Sequence, residues 1–295
     1  MTLPLFQKII LAFDGSASSK DACEFATVLA KGFNSNVTVA YVLPPITILS
    51  GRMKGVYESE VQNKARDQIL KIQSQMNRQG VDARIKVLRA GDSIARAIVD
   101  FSEGEQADLI VVGTRGFGGL KRMVLGSVSN GLLNEASCPV IVVRGGTSGL
   151  GQKLQKILVA TDGSKNANRA VQTAVSIAKN VGAGITIVHA IYMSPSAYGT
   201  FTPMMDQILE GLRSEGERII SEATKIAEEN GVKAGSQLID NDQNPVSAIT
   251  SYSKEGRFGL IVMGTRGLSG VRKAFLGSVA NGVVHSANCS VLVTK

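Results

Sequence analysis

Residues 113–127 read GTRGFGGLKRMVLGS, and residues 264–278 read GTRGLSGVRKAFLGS. Both keep one spacing: Gly, two residues, Gly, nine residues, Gly, Ser. These residue types suit an anion. Gly113 and Gly116 carry no Cβ, so the backbone can turn tightly and approach a ligand. Gly126 and Ser127 open the helical stretch SVSNGLLNEAS. The first N–H groups of a helix are unpaired and carry partial positive charge, so a phosphate fits there, and Ser127 adds a hydroxyl. Gly264, Gly267, Gly277 and Ser278 repeat the arrangement. Tight strand-to-helix turns need glycines as well, so the spacing alone leaves both roles open. The P-loop pattern fails: GxxxxGK[ST] is absent, and no Lys precedes Ser127 or Ser278.

A second group is acidic. FDGSAS at 13–18 and TDGSKN at 161–166 each follow an apolar run. Asp14 and Asp162 there can accept hydrogen bonds from a ribose or a base. Asp and Ser before a helix are also ordinary capping residues. The first turn is not GxGxxG, which argues against a nicotinamide dinucleotide. His189 and His285 cannot build a zinc site alone, and no Cys lies at ligand spacing from either. Cys23, Cys138 and Cys289 are far apart and odd in number, which argues against a disulfide framework.

The elements that hold these residues are written twice. KIILAFDGSASS at 8 returns as KILVATDGSKNA at 156, and NVTVAYVLP at 36 as GITIVHAIY at 184. ADLIVVGTRG at 107 returns as FGLIVMGTRG at 258, and SCPVIVVR at 137 as NCSVLVTK at 288. So long a period means two whole domains, 1–146 and 153–295, joined by the Gly/Ser-rich seam RGGTSGLGQK. In the first half IILAF, VTVAYV, RIKVL, LIVVG and VIVVR read as strands. They are rich in Val and Ile and mostly apolar on both faces, which suits parallel strands covered by helices. Ala22, Cys23, Ala26, Leu29 and Ala30 form one helical face. Residues 57–80 read as a longer amphipathic helix ending at Gly80. The β-α alternation predicts a doubly wound parallel α/β sheet in each half, with ligands at the carboxyl ends of its strands.

Composition narrows the function classes. Hydrophobic residues make up 44% and charged residues 19% of 295, a core-forming balance. No apolar run is long enough for a membrane helix, and the start has no signal-peptide pattern. Both observations predict a cytoplasmic protein. The formal net charge of +8 raises the expectation of an anionic partner. The basic residues are spread along the chain without an aromatic-interleaved block, so nucleic acid is not the expected partner.

Taken together, these residues resemble the universal stress protein family, whose hallmark is G-x2-G-x9-G-[ST] after strand four and Asp after strand one. The match covers nearly all of both halves. It implies five parallel strands in the order 3-2-1-4-5 in each domain. Members with the intact loop bind ATP or a related adenine nucleotide such as AMP or ADP, with or without magnesium. By the family pattern, phosphates lie over Gly113, Gly116, Gly126, Ser127 and Val128, beside Val112. Asp14 reaches the ribose or adenine, with Ala12 and Phe13 nearby, and the Val42 backbone meets the adenine edge. The second-half positions are Gly264, Gly267, Gly277, Ser278, Val279, Met263, Asp162, Ala160, Thr161 and Ala190. Arg115 and Arg266 are either phosphate partners or solvated loop arginines, and Lys121, Arg122, Arg272 and Lys273 are weaker candidates at the rim. One departure stands out: RAGDSIARAI at 89 becomes DNDQNPVSAI at 240, without the glycine. The resemblance also implies an intramolecular pseudo-dimer through the last strands, with further homodimerisation open. Residues 44–57 read as a lid, a partner surface or an ordinary long loop. The expected function is adenine-nucleotide binding in stress response or signalling, with slow or no hydrolysis, since neither loop supplies an evident base. A weak ATPase and a partner-binding scaffold with vestigial loops are the alternatives. The protein partner is not legible.

Overall fold

The computed structural model describes residues 3, 5–43, 51–114, 125–145, 154–192, 205–240, 244–265 and 276–295. Arg115, Gly116, Arg266 and Gly267 lie outside the described residues, as do Lys121, Arg122, Arg272, Lys273 and the seam from 146 to 153.

The Val- and Ile-rich runs form strands, and the periodic segments between them form helices. The first half runs β1 (Lys8–Ala12), α1 (Ala17–Phe33), β2 (Asn36–Leu43), α2 (Gly51–Arg78), β3 (Ala83–Arg89), α3 (Ile94–Gly104), β4 (Leu109–Gly113), α4 (Ser127–Glu135) and β5 (Val140–Val143). The second runs β6 (Lys156–Ala160), α5 (Lys165–Val181), β7 (Gly184–Ile191), α6 (Met205–Glu229), β8 (Ala234–Asp240), α7 (Pro245–Glu255), β9 (Leu260–Gly264), α8 (Ser278–Ser286) and β10 (Ser290–Thr294). Contacts divide the chain into two compact units, Leu5–Gly151 and one containing Gln152–Lys295.

Within each unit the strands are parallel. Their order is β3-β2-β1-β4-β5 in the first and β8-β7-β6-β9-β10 in the second. The sheets are parallel and doubly wound as the β-α alternation predicts, in the strand order that the family resemblance implies. Every residue of β4 and β5 is buried, and β1 exposes only Lys8. Burial on both faces explains why the central strands lack a period-two pattern. The outer strand β3 alternates more and exposes Val87.

The α1 face read from spacing is buried as a unit: Ala22, Cys23, Ala26, Leu29 and Ala30. The long helices α2 and α6 stop alike. Gly80 takes φ 82°, Val81 N donates to Met76 O at 3.0 Å, and Gly80 N donates to Asn77 O at 2.9 Å. In the second unit Gly231 takes φ 75°, with Val232 N to Ala227 O at 3.0 Å and Gly231 N to Glu228 O at 2.9 Å. Both are Schellman ends that use the freedom of glycine to turn left-handed. The helix read as starting at Tyr57 starts at Gly51 instead. Residues 51–56 show no apolar stripe, yet Arg, Met and Lys are good helix formers, and a helix already nucleated downstream extends through them. The stretch 44–50 lies outside the described residues. Among the described residues, no helix is long and apolar enough to cross a membrane.

None of the three cysteines forms a disulfide. Cys23 is buried on α1, and burial pushes its thiol up to about 11, against a smaller opposing effect of the Thr27 hydrogen bond. Only the thiolate alkylates readily, and at pH 8 roughly one Cys23 in a thousand is ionised. Iodoacetamide at that pH is therefore expected to label the half-buried Cys138 and Cys289 well before Cys23. Peptide mass spectrometry over a time course reads this directly. Cys23 labelling at an equal rate in folded protein would contradict the packing of α1.

Candidate functional site

The strand order sets where a ligand can enter. From β1 the chain winds outward to β2 and β3, then returns to the other side as β4. The carboxyl ends of β1 and β4 therefore part their chains in opposite directions, which opens a crevice. Ala12 pairs with Val112 there, so Phe13 and Asp14 leave the sheet beside Gly113 and Thr114. In the second unit Val159 pairs with Val262, and Ala160 and Met263 follow. Ala12, Phe13, Val112, Ala160, Thr161 and Met263 have buried side chains, so a ligand would meet their backbone. Val42 and Ala190 are half-buried near the ends of β2 and β7.

The aspartate turns are built alike. Asp14 Oδ1 accepts from Ser16 N at 3.0 Å across Gly15, whose φ is 86°. The Ser16 hydroxyl accepts from Ser19 N at 3.2 Å and caps α1. Asp162 Oδ1 accepts from Ser164 N at 3.1 Å across Gly163, φ 77°, and the Ser164 hydroxyl accepts from Ala167 N at 3.2 Å. The capping role read for the DGS turn thus divides. Serine caps the helix, while aspartate shapes the turn from a half-buried position at the crevice.

The roots of the glycine loops are closed by backbone bonds. Thr114 O accepts from Gly126 N at 2.8 Å, and Thr265 O accepts from Gly277 N at 2.7 Å. Thr114 N and Thr265 N donate to Val143 O and Thr294 O, at 3.1 and 3.0 Å. Each loop therefore leaves and re-enters at one anchored point. These threonines were not singled out from sequence, although GTRG stands unchanged in both copies. The first loop glycine has a steric reason of its own. A Cβ on Gly113 would lie 2.6 Å from Ser18 C and O, in the first turn of α1. On Gly264 it would lie 2.9 Å from Asn166 C and 3.0 Å from Asn166 O. The end of β4 can abut α1 only without a side chain.

Two further glycines carry helix packing. A Cβ on Gly131 of α4 would meet the Ala95 Cβ of α3 at 2.5 Å, and one on Gly282 of α8 would meet Val246 Cγ2 of α7 at 2.6 Å. These contacts hold α4 and α8 close to their neighbours. The sequence signal was a glycine inside each helical pattern, and only a close partner explains it.

Capping separates the loop helices from the rest. Among the described N-caps, α1, α3, α5 and α7 are each closed by a side chain: Ser16, Ser93, Ser164 and Asn244. Helices α4 and α8 begin instead at Gly126 and Gly277, with no side-chain cap and no acidic residue in the first turn. In the other four helices the cap accepts from the third N–H; in α4 and α8 that N–H, of Ser129 and of Ala280, has no such side chain, and the N–H groups of Ser127, Val128, Ser278 and Val279 stand beside it at the helix starts. Ser127 and Ser278 are exposed, and Val128 and Val279 are half-buried. The Gly-less turn at 240 still starts its helix normally, for Asn244 Oδ1 accepts from Ser247 N at 3.1 Å and Pro245 opens α7.

His189, which cannot build a zinc site alone, holds a backbone carbonyl instead. Its Nδ1 lies 2.8 Å from Thr161 O, so that nitrogen donates to the carbonyl. The first unit has Tyr41 at this position.

A family model described as "Universal stress protein family" matches the chain twice, over residues 5–144 and 153–295. A universal stress protein of Mycolicibacterium smegmatis is 26% identical over 292 residues, spanning 97% of this chain and 96% of that one. Another, from Methanocaldococcus jannaschii, is 34% identical over 141 residues, 48% of this chain and 82% of its own length. Among solved structures, a universal stress protein from Archaeoglobus fulgidus covers 98% of both chains at a TM-score of 0.70 and 22% identity, a likeness of fold.

Proposed function

The chain belongs to the universal stress protein family, with its domain present twice, and from that premise we propose that each half binds ATP or a related adenine nucleotide. The observation that carries this reading is the pair of helix starts at Gly126 and Gly277. They alone among the described N-caps have no side-chain partner, and both stand at the root of the repeated glycine loop. Phosphate oxygens are the natural acceptors for such N–H groups.

The donor set fits a nucleotide. Backbone N–H groups of Ser127 and Val128 would receive phosphate, with the Ser127 hydroxyl beside them. Backbone from Ala12 and Phe13 would meet the base or sugar, near the Asp14 carboxylate and the Val42 backbone. Gly113 and Gly116 would let main chain approach, and Arg115 would pair with phosphate. The second half offers Ser278, Val279, Ala160, Thr161, Asp162, Ala190, Gly264, Gly267 and Arg266 in the same roles. Magnesium, where present, would travel with the phosphates.

Occupancy would act as a signal in a cytoplasmic stress response, with slow or no hydrolysis. Asp14 and Asp162 would stand at the sugar and base end, away from the terminal phosphate. Turnover well above background by purified protein would turn the reading toward an ATPase.

The test begins with protein purified without added nucleotide, denatured, and its released small molecules measured by chromatography. Calorimetric titration of stripped protein with ATP and AMP follows. Two adenine nucleotides per chain are expected at saturation. No released nucleotide and no heat with either ligand would overturn the reading and leave the scaffold alternative.

A further inference from the structure

The two units close their loops by the same backbone bonds but not by the same side chains. Ser129 lies in the first turn of α4 and is 2% exposed. Its hydroxyl oxygen is 3.0 Å from Gly126 O and 3.3 Å from Thr114 O. A serine hydroxyl has one proton to give, so it is shared between these carbonyls. Thr114 O is the acceptor that also receives Gly126 N at the loop root. Ser129 thus ties the first turn of α4 to the end of β4, across the point where the loop departs.

The matching residue of the second unit is Ala280, equally buried and without a hydroxyl. The second unit has a buried hydroxyl that the first lacks, on Thr294, where the first has Val143. It lies 3.4 Å from Met263 O and joins β10 to β9. That bond runs between strands and does not reach the start of α8.

We propose that Ser129 is a positioning residue for the first nucleotide site, and that Ala280 leaves the second site the weaker of the two. The proposal rests on the nucleotide reading above. Phosphate on the N–H groups of Ser127 and Val128 needs the helix start held in register with the crevice beside β4. Ser129 does not touch the ligand; it reduces the freedom of the donors that do. One hydrogen bond of this kind changes affinity by about three- to tenfold.

The experiment measures each site alone. Gly277→Val leaves the first site and Gly126→Val leaves the second, and both parents are titrated with ATP. The first-site parent is expected to bind more tightly. Adding Ser129→Ala to it should weaken ATP by about three- to tenfold. Adding Ala280→Ser to the second-site parent should tighten ATP by a similar factor. Ala280 itself shows that the fold accepts alanine at this position. Urea midpoints are read in parallel, because a hydroxyl that only stabilises the fold would move them and leave ATP affinity unchanged. ATP affinity unmoved by both substitutions overturns the proposal while the nucleotide reading stands. Absence of ATP binding in both single-site parents and in the unsubstituted chain overturns the nucleotide reading, and this proposal with it.

Discussion

A chain carrying both Gly126→Val and Gly277→Val is expected to lose adenine-nucleotide binding and keep its fold. Both residues take extended backbone, φ −69° and ψ 154° for Gly126, φ −61° and ψ 154° for Gly277. Valine occupies that region without strain. Neither glycine contributes a side-chain cap, so the helices lose little, on the order of 1 kcal/mol each. What changes is the space over the first turn. A branched side chain there stands between a phosphate and the N–H groups of Ser127 and Val128, or of Ser278 and Val279. Hydrogen bonds to a charged acceptor contribute about 1.5–3 kcal/mol each. Losing one or two should weaken ATP on the order of a hundredfold per site. Calorimetric titration reads the affinity, and far-ultraviolet circular dichroism with a urea curve reads the fold. Each single substitution should halve the stoichiometry. Undiminished binding by the folded double variant would remove the helix starts from the site.

Gly113→Ala is expected to destabilise the first unit, and Gly264→Ala the second by less. The added methyl of the first would sit 2.6 Å from the carbonyl carbon and oxygen of Ser18, which cannot rotate away. Overpacking against backbone costs about 1–3 kcal/mol. Replacing glycine in a strand returns roughly 0.5–1 kcal/mol through the unfolded chain. The net loss should be about 2 kcal/mol for Gly113→Ala. At Gly264 the nearest atoms are 2.9–3.1 Å away, and one is the Asn166 Cβ. About 1 kcal/mol is expected there. Two units need not unfold together, so amide exchange at β4 and at β9 is the measurement that separates them. Equal protection in parent and Gly113→Ala protein would mean that β4 does not abut α1 as described.

Much of this was legible in the chain. Two copies of the β-α alternation, with apolar strands where both faces are covered, yield a doubly wound parallel sheet by handedness, while the strand order came from the family resemblance. The alternation needs only local pattern, and the duplication confirms each element against its twin. The helix face at Ala22, Cys23, Ala26, Leu29 and Ala30 was read from spacing and is buried as a unit. The start of α2 was not legible, because Gly51 and Gly55 interrupt a short segment whose Met53 and Val56 set no clear period.

At the candidate site, residue types and spacing were enough to single out Asp14, Asp162 and the loop glycines, because these patterns lie within a few residues of sequence. Their division of labour depends on partners far along the chain. Gly113 is glycine because Ser18 stands against it, and nothing near residue 113 says so. Serine rather than aspartate caps α1 and α5, a choice settled by which oxygen reaches the third N–H. The donation from His189 to Thr161 O links two strands that are neighbours only in the folded sheet. Chemistry carried by type and short spacing can be read along the chain. Steric need and hydrogen-bond partnership require the distances that folding creates.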